Sequence, residues 1–221
     1  MLELDHFFVC VANESIVVKI LTDFGLELSQ RQVHLGQGTA NRIAFFDNAY
    51  LELLLKNSDC NLQSKPVQTI SLWQRMRWQE TNASPFGVAF RFAQNAEQSI
   101  SIETIDYDAP FLPDGITIPV ATPQNSIREP LIFFSLIAQA PIEQDKIDAS
   151  LLQQKGRQRK LTGIKITTLP HNPSPQLQWF RERQLISVVE GTEHHAELEW
   201  DNGKAKQAYD FRPLLPLSIR W

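Results

Sequence analysis

The chain has few of the features that mark secreted or membrane proteins. It contains only two cysteines, Cys10 and Cys60, in 221 residues, which does not indicate a disulfide framework. No apolar run approaches the roughly 18 residues that a membrane-spanning helix needs. The N-terminal segment lacks the basic region and the small-residue cleavage site of a secretory signal. We therefore expect a cytoplasmic protein that does not insert into a membrane.

Positive charge is also scarce. The chain has 21 Lys and Arg against 25 Asp and Glu, which gives a net charge of −4. Neutralising a phosphate backbone requires many clustered basic residues, so we expect no nucleic-acid partner. The one basic cluster, in residues 155–160, is interpreted as a solvated linker. Because no phosphate-binding or dinucleotide fingerprint is present, no nucleotide cofactor is expected.

Three stretches of the chain carry a similar order of predicted elements. In the first, residues 2–11 predict a strand and Asn13 to Gly25 a capped helix, before three more strands. The even positions of the first strand, Leu4, His6, Phe8 and Cys10, are expected on one face. The remaining predicted elements are strands 26–33, 41–46 and 50–55; a second unit with strand 86–92, helix 95–103 and strands 115–121 and 131–137; and a third with strand 161–168, a helix opening at Ser174-Pro175 and strands 185–189, 195–200 and 206–211.

Several segments resemble one known family. LDHFFVCV at residues 4–11, HLGQGTANR at 34–42 and AYLELL at 49–54 resemble the first module of the glyoxalase-like branch of the vicinal-oxygen-chelate superfamily, which includes glyoxalases, bleomycin-resistance proteins and dioxygenases. PDGITIPV at 113–120 and PLIFFSLI at 130–137 are similar to the second module of that branch. The resemblance implies paired βαβββ modules that curl into a half-open barrel with ligand and metal on the concave face.

We therefore predict an α+β protein of repeated βαβββ modules that form a half-open curved sheet or barrel. Residues 1–140 would form the paired-module domain and residues 141–160 a linker. Residues 161–221 would form an additional C-terminal βαβββ-like unit packed on the first.

The resemblance also implies a candidate site. His6 and Glu52 match the family's ligand positions on the first and last strands of module one, where metal-using members bind a divalent ion such as Zn, Ni, Mn or Fe. In module two Phe86 or Gly87 stands in place of the partner His, and the last strand has no acid. His34 is the third candidate metal ligand. The alternative is a hydrogen-bonded core histidine and a glutamate on an exposed strand face.

The segment that begins at His34 offers several groups for substrate contacts. Glycines let the backbone approach a ligand, and an arginine fork can bind a carboxylate through two hydrogen bonds. An ordinary β-connection and a structural salt bridge are the alternatives. The candidate substrate-binding residues are His34, Gly36, Gly38, Thr39, Asn41 and Arg42.

These residues support three hypotheses. The first is an enzyme of lyase or isomerase type, with a small oxygen-rich substrate polarised by a divalent ion or by His6 and with Glu52 as ligand or general base. The second is a non-catalytic binding or sequestering protein of the same fold without metal. The third is structural: the C-terminal unit covers the open barrel or pairs subunits of a homodimer through the apolar residues Leu214–Trp221.

Overall fold

The computed structural model describes residues 1–94, 96–97, 99–136, 138–144, 151 and 160–221. Its strands are β1 (Leu2–Val11), β2 (Gln32–His34), β3 (Thr39–Phe45), β4 (Tyr50–Lys56), β5 (Phe86–Phe92), β6 (Ile105–Tyr107), β7 (Ile118–Val120), β8 (Leu131–Phe134), β9 (Leu161–Thr168), β10 (Ser187–Glu190), β11 (His195–Trp200), β12 (Ala208–Asp210) and β13 (Leu217–Arg220). Its helices are α1 (Glu14–Phe24), α2 (Asp59–Leu62), α3 (Lys65–Gln68), α4 (Leu72–Met76), α5 (Trp78–Thr81) and α6 (Pro175–Glu182). None of these described helices combines the length and the apolar character that a bilayer crossing requires.

The first eight strands form one sheet in which two halves repeat the same arrangement. Its strand order is β2-β3-β4-β1-β5-β8-β7-β6. In each half the first strand pairs in parallel with the last, β1 with β4 and β5 with β8. The antiparallel pair of β1 and β5 joins the halves at the centre. The predicted α+β fold of repeated modules in a curled sheet is therefore confirmed.

The second module departs from the prediction at its helix. Residues 96–97 and 99–103 form no helix, while Asn95 and Gln98 lie outside the described residues. Ile100 and Ile102 instead pack against the core, a spacing of two residues that suits extended chain better than a helix. The four short helices α2–α5, in residues 59–81, precede the module.

The first strand contains a bulge that the alternation of residues did not predict. The register of β1 against β5 shifts between Leu4 and His6, so that Asp5 is an extra residue on the β1 side. Phe8 and Cys10 share a core on one face of the sheet, whereas Leu4 packs on the core of the other face. The prediction that Leu4 shares a face with His6 was therefore wrong, because a bulge shifts the alternation by one residue.

Two hydrophobic cores lie on the two faces of the sheet. The larger contains Phe7, Leu21 of α1, and Trp200 and Ile219 of the C-terminal unit, which thus shares one core with the paired modules. The smaller contains Phe8 and residues of α2–α4. The C-terminal unit therefore packs on the face opposite the smaller core and does not cover the open side, contrary to one of the structural interpretations.

The C-terminal unit forms a second sheet of five strands, in the order β10-β9-β11-β13-β12. Helix α6 begins as predicted, with the Ser174 hydroxyl accepting a hydrogen bond from the backbone of Leu177 and Pro175 in the first turn. The fifth strand, β13, was not predicted. Its Leu217 and Ile219 are buried within the unit, so most of the apolar C-terminal segment is used internally.

Polar contacts hold the C-terminal unit against the modules. The Glu129 carboxylate accepts hydrogen bonds from the backbone nitrogen and the hydroxyl of Ser174, at 2.6 and 2.7 Å. The Asn48 side chain pairs with both backbone groups of Leu161. Most of the predicted linker 141–160, including most of its basic cluster, lies outside the described residues, so the domain boundaries stay a prediction.

Candidate functional site

A cavity of about 990 Å³ occupies the concave face of the eight-stranded sheet. Strands β1, β3 and β4 contribute His6, Asn41 and Glu52 to its wall, and the loops after β2 and β6 contribute Gln37 and Phe111. Clefts of this size hold most small-molecule ligands of proteins. The curling of the sheet thus brings polar residues from distant parts of the chain to one hollow.

The bulge in β1 gives His6 a fixed carboxylate partner. Asp5 Oδ2 lies 2.7 Å from His6 Nδ1, and Asp5 Oδ1 lies 3.4 Å from a guanidinium nitrogen of Arg91. Burial acts to raise the pKa of Asp5, but the hydrogen bond with His6 and the charges of His6 and Arg91 outweigh it and lower the pKa. Asp5 is therefore ionised and holds the proton of His6 on Nδ1, which leaves Nε2 directed away from Asp5.

Glu52 is a buried carboxylate on the cavity side of β4. Alternation along the strand places Tyr50 and Leu54 with it in the cavity wall, while Leu53 lies in the opposite core. Glu52 is only 7% exposed. Its Oε1 accepts a hydrogen bond of 2.9 Å from Asn41 Nδ2, and its Oε2 lies 3.6 Å from His6 Nε2. One carboxylate oxygen is thus held by an amide and the other faces an imidazole.

A chain of hydrogen bonds orients the groups beside Glu52. The Tyr107 hydroxyl donates to Gln37 Oε1 at 2.7 Å, and Gln37 Nε2 donates to Thr39 Oγ1 at 2.7 Å. Thr39 Oγ1 lies 2.8 Å from His34 Nδ1, and Asn41 Nδ2 lies 3.1 Å from His34 Nε2. Because Asn41 Nδ2 is a donor, His34 Nε2 is an acceptor and the ring proton sits on Nδ1.

His34 is thereby held as a neutral imidazole. Burial lowers its pKa, an effect that the nearby Glu52 charge only partly offsets. The ring stacks on Phe111 with centroids 4.8 Å apart. At neutral pH His34 therefore carries no charge and forms a fixed polar part of the cavity wall.

Some of the predicted substrate-binding residues line the cavity, and the others pack against the protein behind it. His34 and Asn41 line the cavity, whereas Gly36, Gly38, Thr39 and Arg42 are absent from its described lining. A Cβ on Gly38 would lie 2.5 Å from the carbonyl oxygen of Ser58, so the backbone there is packed against protein. A Cβ on Gly36 would likewise lie 2.7 Å from a side-chain carbon of Pro110. Protein atoms fill the space beside these glycines, so the glycines allow the loop to pack closely and do not admit a ligand.

Arg42 does not face the cavity. It alternates with Asn41 along β3, and its guanidinium binds Glu14 at 2.9 Å and the carbonyl oxygen of Ser29 at 3.1 Å. The structure thus gives Arg42 the salt-bridge role, which was the alternative to anion recognition. Its two acceptors occupy the fork that a ligand carboxylate would need.

Hydrogen bonds with Asn41 occupy two of the three candidate metal ligands, His34 and Glu52. Among the described residues no group of three His, Cys, Asp or Glu side chains could hold a metal ion. His6 Nε2 and Glu52 Oε2 are close enough to share one, but His34 Nε2 accepts the Asn41 amide, which also binds Glu52. A catalytic divalent site commonly has about three protein ligands. As arranged, the residues do not fit such a site.

The second module contributes an apolar wall. On β5, Ala89 is the residue paired with His6, and Gly87 packs so closely that a Cβ would lie 2.0 Å from the Phe8 ring. On β8, Phe133 meets the His6 ring edge-on at 5.3 Å. The side chains that hydrogen-bond to His6 and Glu52, Asp5 and Asn41, thus come from the first module, in line with the missing second-module ligands.

Sequence reasoning missed several lining residues. Tyr50 could have been found, because it precedes Glu52 by two positions on the same strand face. Asp5 could not be placed in the wall without knowledge of the bulge. Gln37 and Tyr107 are joined by a contact between the two modules that no local pattern reveals.

Three other titratable residues lie outside the cavity. Cys10 is a buried free thiol, and burial raises its pKa to about 12. His194 is buried, and its Nε2 contacts the carbonyl oxygen of Asn82. His195 pairs with Ser218 on the neighbouring strand β13. None of the three contributes to the site.

A curled sheet of two repeated four-stranded modules with a cavity on its concave face defines a protein of the vicinal-oxygen-chelate class. The chain belongs to the glyoxalase-like domain family, whose model matches residues 4–124. A hypothetical protein from Staphylococcus aureus has the same overall fold, with a TM-score of 0.63 and 12% identity over 100% of this chain and 99% of that one.

More distant structural matches cover 62% of the chain. A methylmalonyl-CoA epimerase in complex with methylmalonyl-CoA and NH4+ gives a TM-score of 0.38 and 18% identity over 62% of this chain and 97% of that one. The methylmalonyl-CoA epimerase from Mycobacterium tuberculosis gives 0.35 and 13% over 62% and 88%. The search of curated proteins found no match to the chain.

Proposed function

We propose that the chain is an enzyme that binds a small oxygen-containing molecule in the concave cavity and transfers a proton on it, with Glu52 as the acid-base group. The main support is the buried Glu52 carboxylate, with Oε1 held by Asn41 and Oε2 not hydrogen-bonded by any residue that the structure describes. Burying a carboxylate is costly unless its position is used or its charge is compensated. A general base needs one oriented oxygen within reach of the ligand.

His6 acts as the second acid-base group in this proposal. Asp5 holds Nδ1, so Nε2 can accept or return a proton beside Glu52 Oε2. The arrangement resembles other catalytic sites in which a carboxylate orients an imidazole and a second group reacts with the substrate. Proton removal next to a carbonyl begins both elimination and isomerisation, and we therefore extend the proposal to lyase or isomerase chemistry.

A divalent metal would be the alternative way to polarise the ligand. The metal would bind to His6 and Glu52, and His34 could become a third ligand only if its hydrogen bond with Asn41 were broken. Because the Asn41 amide is bonded to both His34 and Glu52, we assign no step to a metal.

A non-catalytic binding protein is the second candidate. The apolar residues that module two contributes, among them Phe133 and Leu131, favour it, since they suit binding of a hydrocarbon group and supply no proton-transfer group themselves. Both candidates share the same ligand cavity, so they differ only in whether Glu52 exchanges a proton with the ligand.

Deuterium incorporation tests the enzyme proposal. A panel of small ketones, hydroxy ketones and esters would be incubated with the protein in D2O and followed by ¹H NMR. The variant Glu52→Gln keeps the shape of the side chain and removes the basic oxygen. Glu14→Gln is the matched control, because Glu14 pairs with Arg31 and Arg42 away from the cavity.

The expected result is exchange in the wild type and in Glu14→Gln, with at least about a hundredfold slower exchange in Glu52→Gln, the usual size of a general-base effect. Compounds that bind the wild type without any exchange would reject the enzyme and favour the binding protein. Equal exchange in wild type and Glu52→Gln would reject Glu52 as the base.

We also retain the predictions of a cytoplasmic location and of a homodimer. Light scattering of the purified protein tests the dimer, which a monomeric mass at micromolar concentration would reject.

A further inference from the structure

We propose that the ligand is an uncharged molecule with a carbonyl oxygen and an apolar chain, and that the Tyr50 hydroxyl donates a hydrogen bond to that oxygen. This inference rests on the proposed function of the cavity and specifies what the cavity selects. Its basis is an unused donor, a set of carboxylates and an apolar wall that lie together.

Tyr50 is a cavity residue whose hydroxyl has no hydrogen-bond partner among the described residues. It lies two positions before Glu52 on β4, lines the cavity, and stacks on the His6 ring with centroids 4.4 Å apart and an interplanar angle of 14°. The Phe45 ring packs against it at 5.7 Å. Within the described part of the chain, no hydrogen bond to the Tyr50 hydroxyl is formed. The ring is thus fixed while its polar end is available.

The Tyr50 hydroxyl is a donor at any pH at which the protein is studied. Burial raises its pKa well above the ordinary value, and the charges of Asp5 and Glu52 raise it further against the smaller effect of Arg91. A protonated phenol beside a carboxylate base can donate to the oxygen of a carbonyl while the base faces the adjacent carbon. His6 cannot replace it as long as its proton is held by Asp5.

The charges of the cavity oppose an anionic ligand. Asp5, Glu52 and Glu143 line it, whereas its described lining includes no Lys or Arg. Like charges at short distance in a partly buried site repel strongly. Arg91 pairs with Asp5 from outside the lining, but Glu52 and Glu143 have no Lys or Arg beside them in it, so a carboxylate or phosphate on the ligand would be repelled.

An ammonium ligand would match the negative charge of the cavity but would leave the Tyr50 hydroxyl without an acceptor. An ammonium group has only donors, so it cannot accept the Tyr50 hydrogen bond. Much of the rest of the wall is apolar, and that part suits a hydrocarbon chain. Its apolar residues include Ile43, Leu72, Phe111, Ile118, Leu131 and Phe133.

Three probes of equal chain length test the inference: 2-octanone, octanoate and octylamine. Dissociation constants would be measured by ligand-observed NMR for the wild type, Tyr50→Phe and Tyr209→Phe. Tyr209 is the matched control, since it is 50% exposed on β12 of the second sheet. Thermal melting would verify that each variant is folded.

We expect 2-octanone to bind the wild type at least about tenfold more tightly than octanoate or octylamine. Tyr50→Phe should weaken the binding of 2-octanone by about five- to tenfold, the value of one hydrogen bond, and leave that of octanoate unchanged. Tyr209→Phe should bind like the wild type.

Octanoate or octylamine binding as tightly as 2-octanone would overturn the ligand class, as would the failure of all three to bind. Unchanged binding of 2-octanone by a folded Tyr50→Phe protein would overturn the role of Tyr50. No turnover is measured here, so selective binding of 2-octanone together with absent deuterium exchange would reject the enzyme proposal and leave this inference standing.

Discussion

His6 Nε2 lies 3.6 Å from Glu52 Oε2, although the two residues belong to the first and last strands of their module. The parallel pairing of β1 with β4 places His6 opposite Tyr50 and Phe8 opposite Glu52, so the two side chains are diagonal neighbours on the concave face. Asp5 fixes the position of His6, and Asn41 fixes that of Glu52.

The first prediction concerns the support of His6 by Asp5. Asp5→Asn should allow the imidazole to populate both neutral tautomers, because an amide can donate to Nδ1 as well as accept from it. The ¹⁵N NMR shifts of His6 measure this directly. If the enzyme proposal holds, the exchange rate should fall by at least about tenfold. A His6 ring that keeps its Nδ1 proton in Asp5→Asn would contradict the assignment.

The second prediction compares two glycines with positive φ. Gly38 has φ of +87° and a Cβ there would lie 2.6 Å from the backbone nitrogen of Leu62, whereas Gly25 has φ of +108° and open space around a Cβ. Gly25→Ala should cost about 1–2 kcal/mol of unfolding free energy from backbone strain alone. Gly38→Ala should cost clearly more, as measured by urea denaturation. Equal losses would show that the tight contact at Gly38 relaxes freely.

The third prediction is a pH dependence of stability at His194. Burial lowers its pKa, only partly offset by the hydrogen bond to Asn82, so the folded protein binds its proton less readily than the unfolded chain. Below the ordinary histidine pKa near 6.5 the unfolded state takes up the proton first, and stability falls with falling pH by up to about 1.4 kcal/mol per unit.

His194→Gln should remove part of this dependence. The free energy of unfolding of the variant should change less between pH 7 and pH 5 than that of the wild type. Above pH 7.5 the two curves should run parallel, which serves as the internal control. An identical slope from pH 7 to 5 would show that His194 titrates normally in the fold.

The fourth prediction concerns metal content. Since Asn41 binds both His34 and Glu52, we expect the purified protein to carry less than one equivalent of Zn, Ni, Mn or Fe. His6→Ala and Glu52→Ala should leave that content unchanged by elemental analysis. A full equivalent that is lost in both variants would reverse the conclusion and make His34 the third ligand.

Much of the fold could be predicted because its signals are local. The bounds of β1, β5 and β9 match the predicted runs 2–11, 86–92 and 161–168, where β-branched and aromatic residues are frequent. The cap at Asn13 and the left-handed Gly25 bound α1 as expected. These features depend on residues within a few positions of one another.

The rest depends on contacts between distant segments. His6, His34, Asn41 and Glu52 were identified through family resemblance, and the sheet brings them to one cavity. The Asp5 bulge depends on the register with β5, which a single strand does not encode. Arg42 was expected at the ligand because its type suits anions, but Glu14 on α1 determines its direction. The type of each residue alone did not show whether its side chain would line the cavity or pack elsewhere.

The central claim is that the Glu52 carboxylate faces the bound ligand. The most direct measurement is the ¹³C NMR shift of glutamate side-chain carboxyls during titration with 2-octanone, with the Glu52 and Glu14 signals assigned from Glu52→Gln and Glu14→Gln. The account predicts that the Glu52 signal moves with ligand occupancy and that the Glu14 signal stays in place. A saturated protein in which the Glu52 signal has not moved would contradict it.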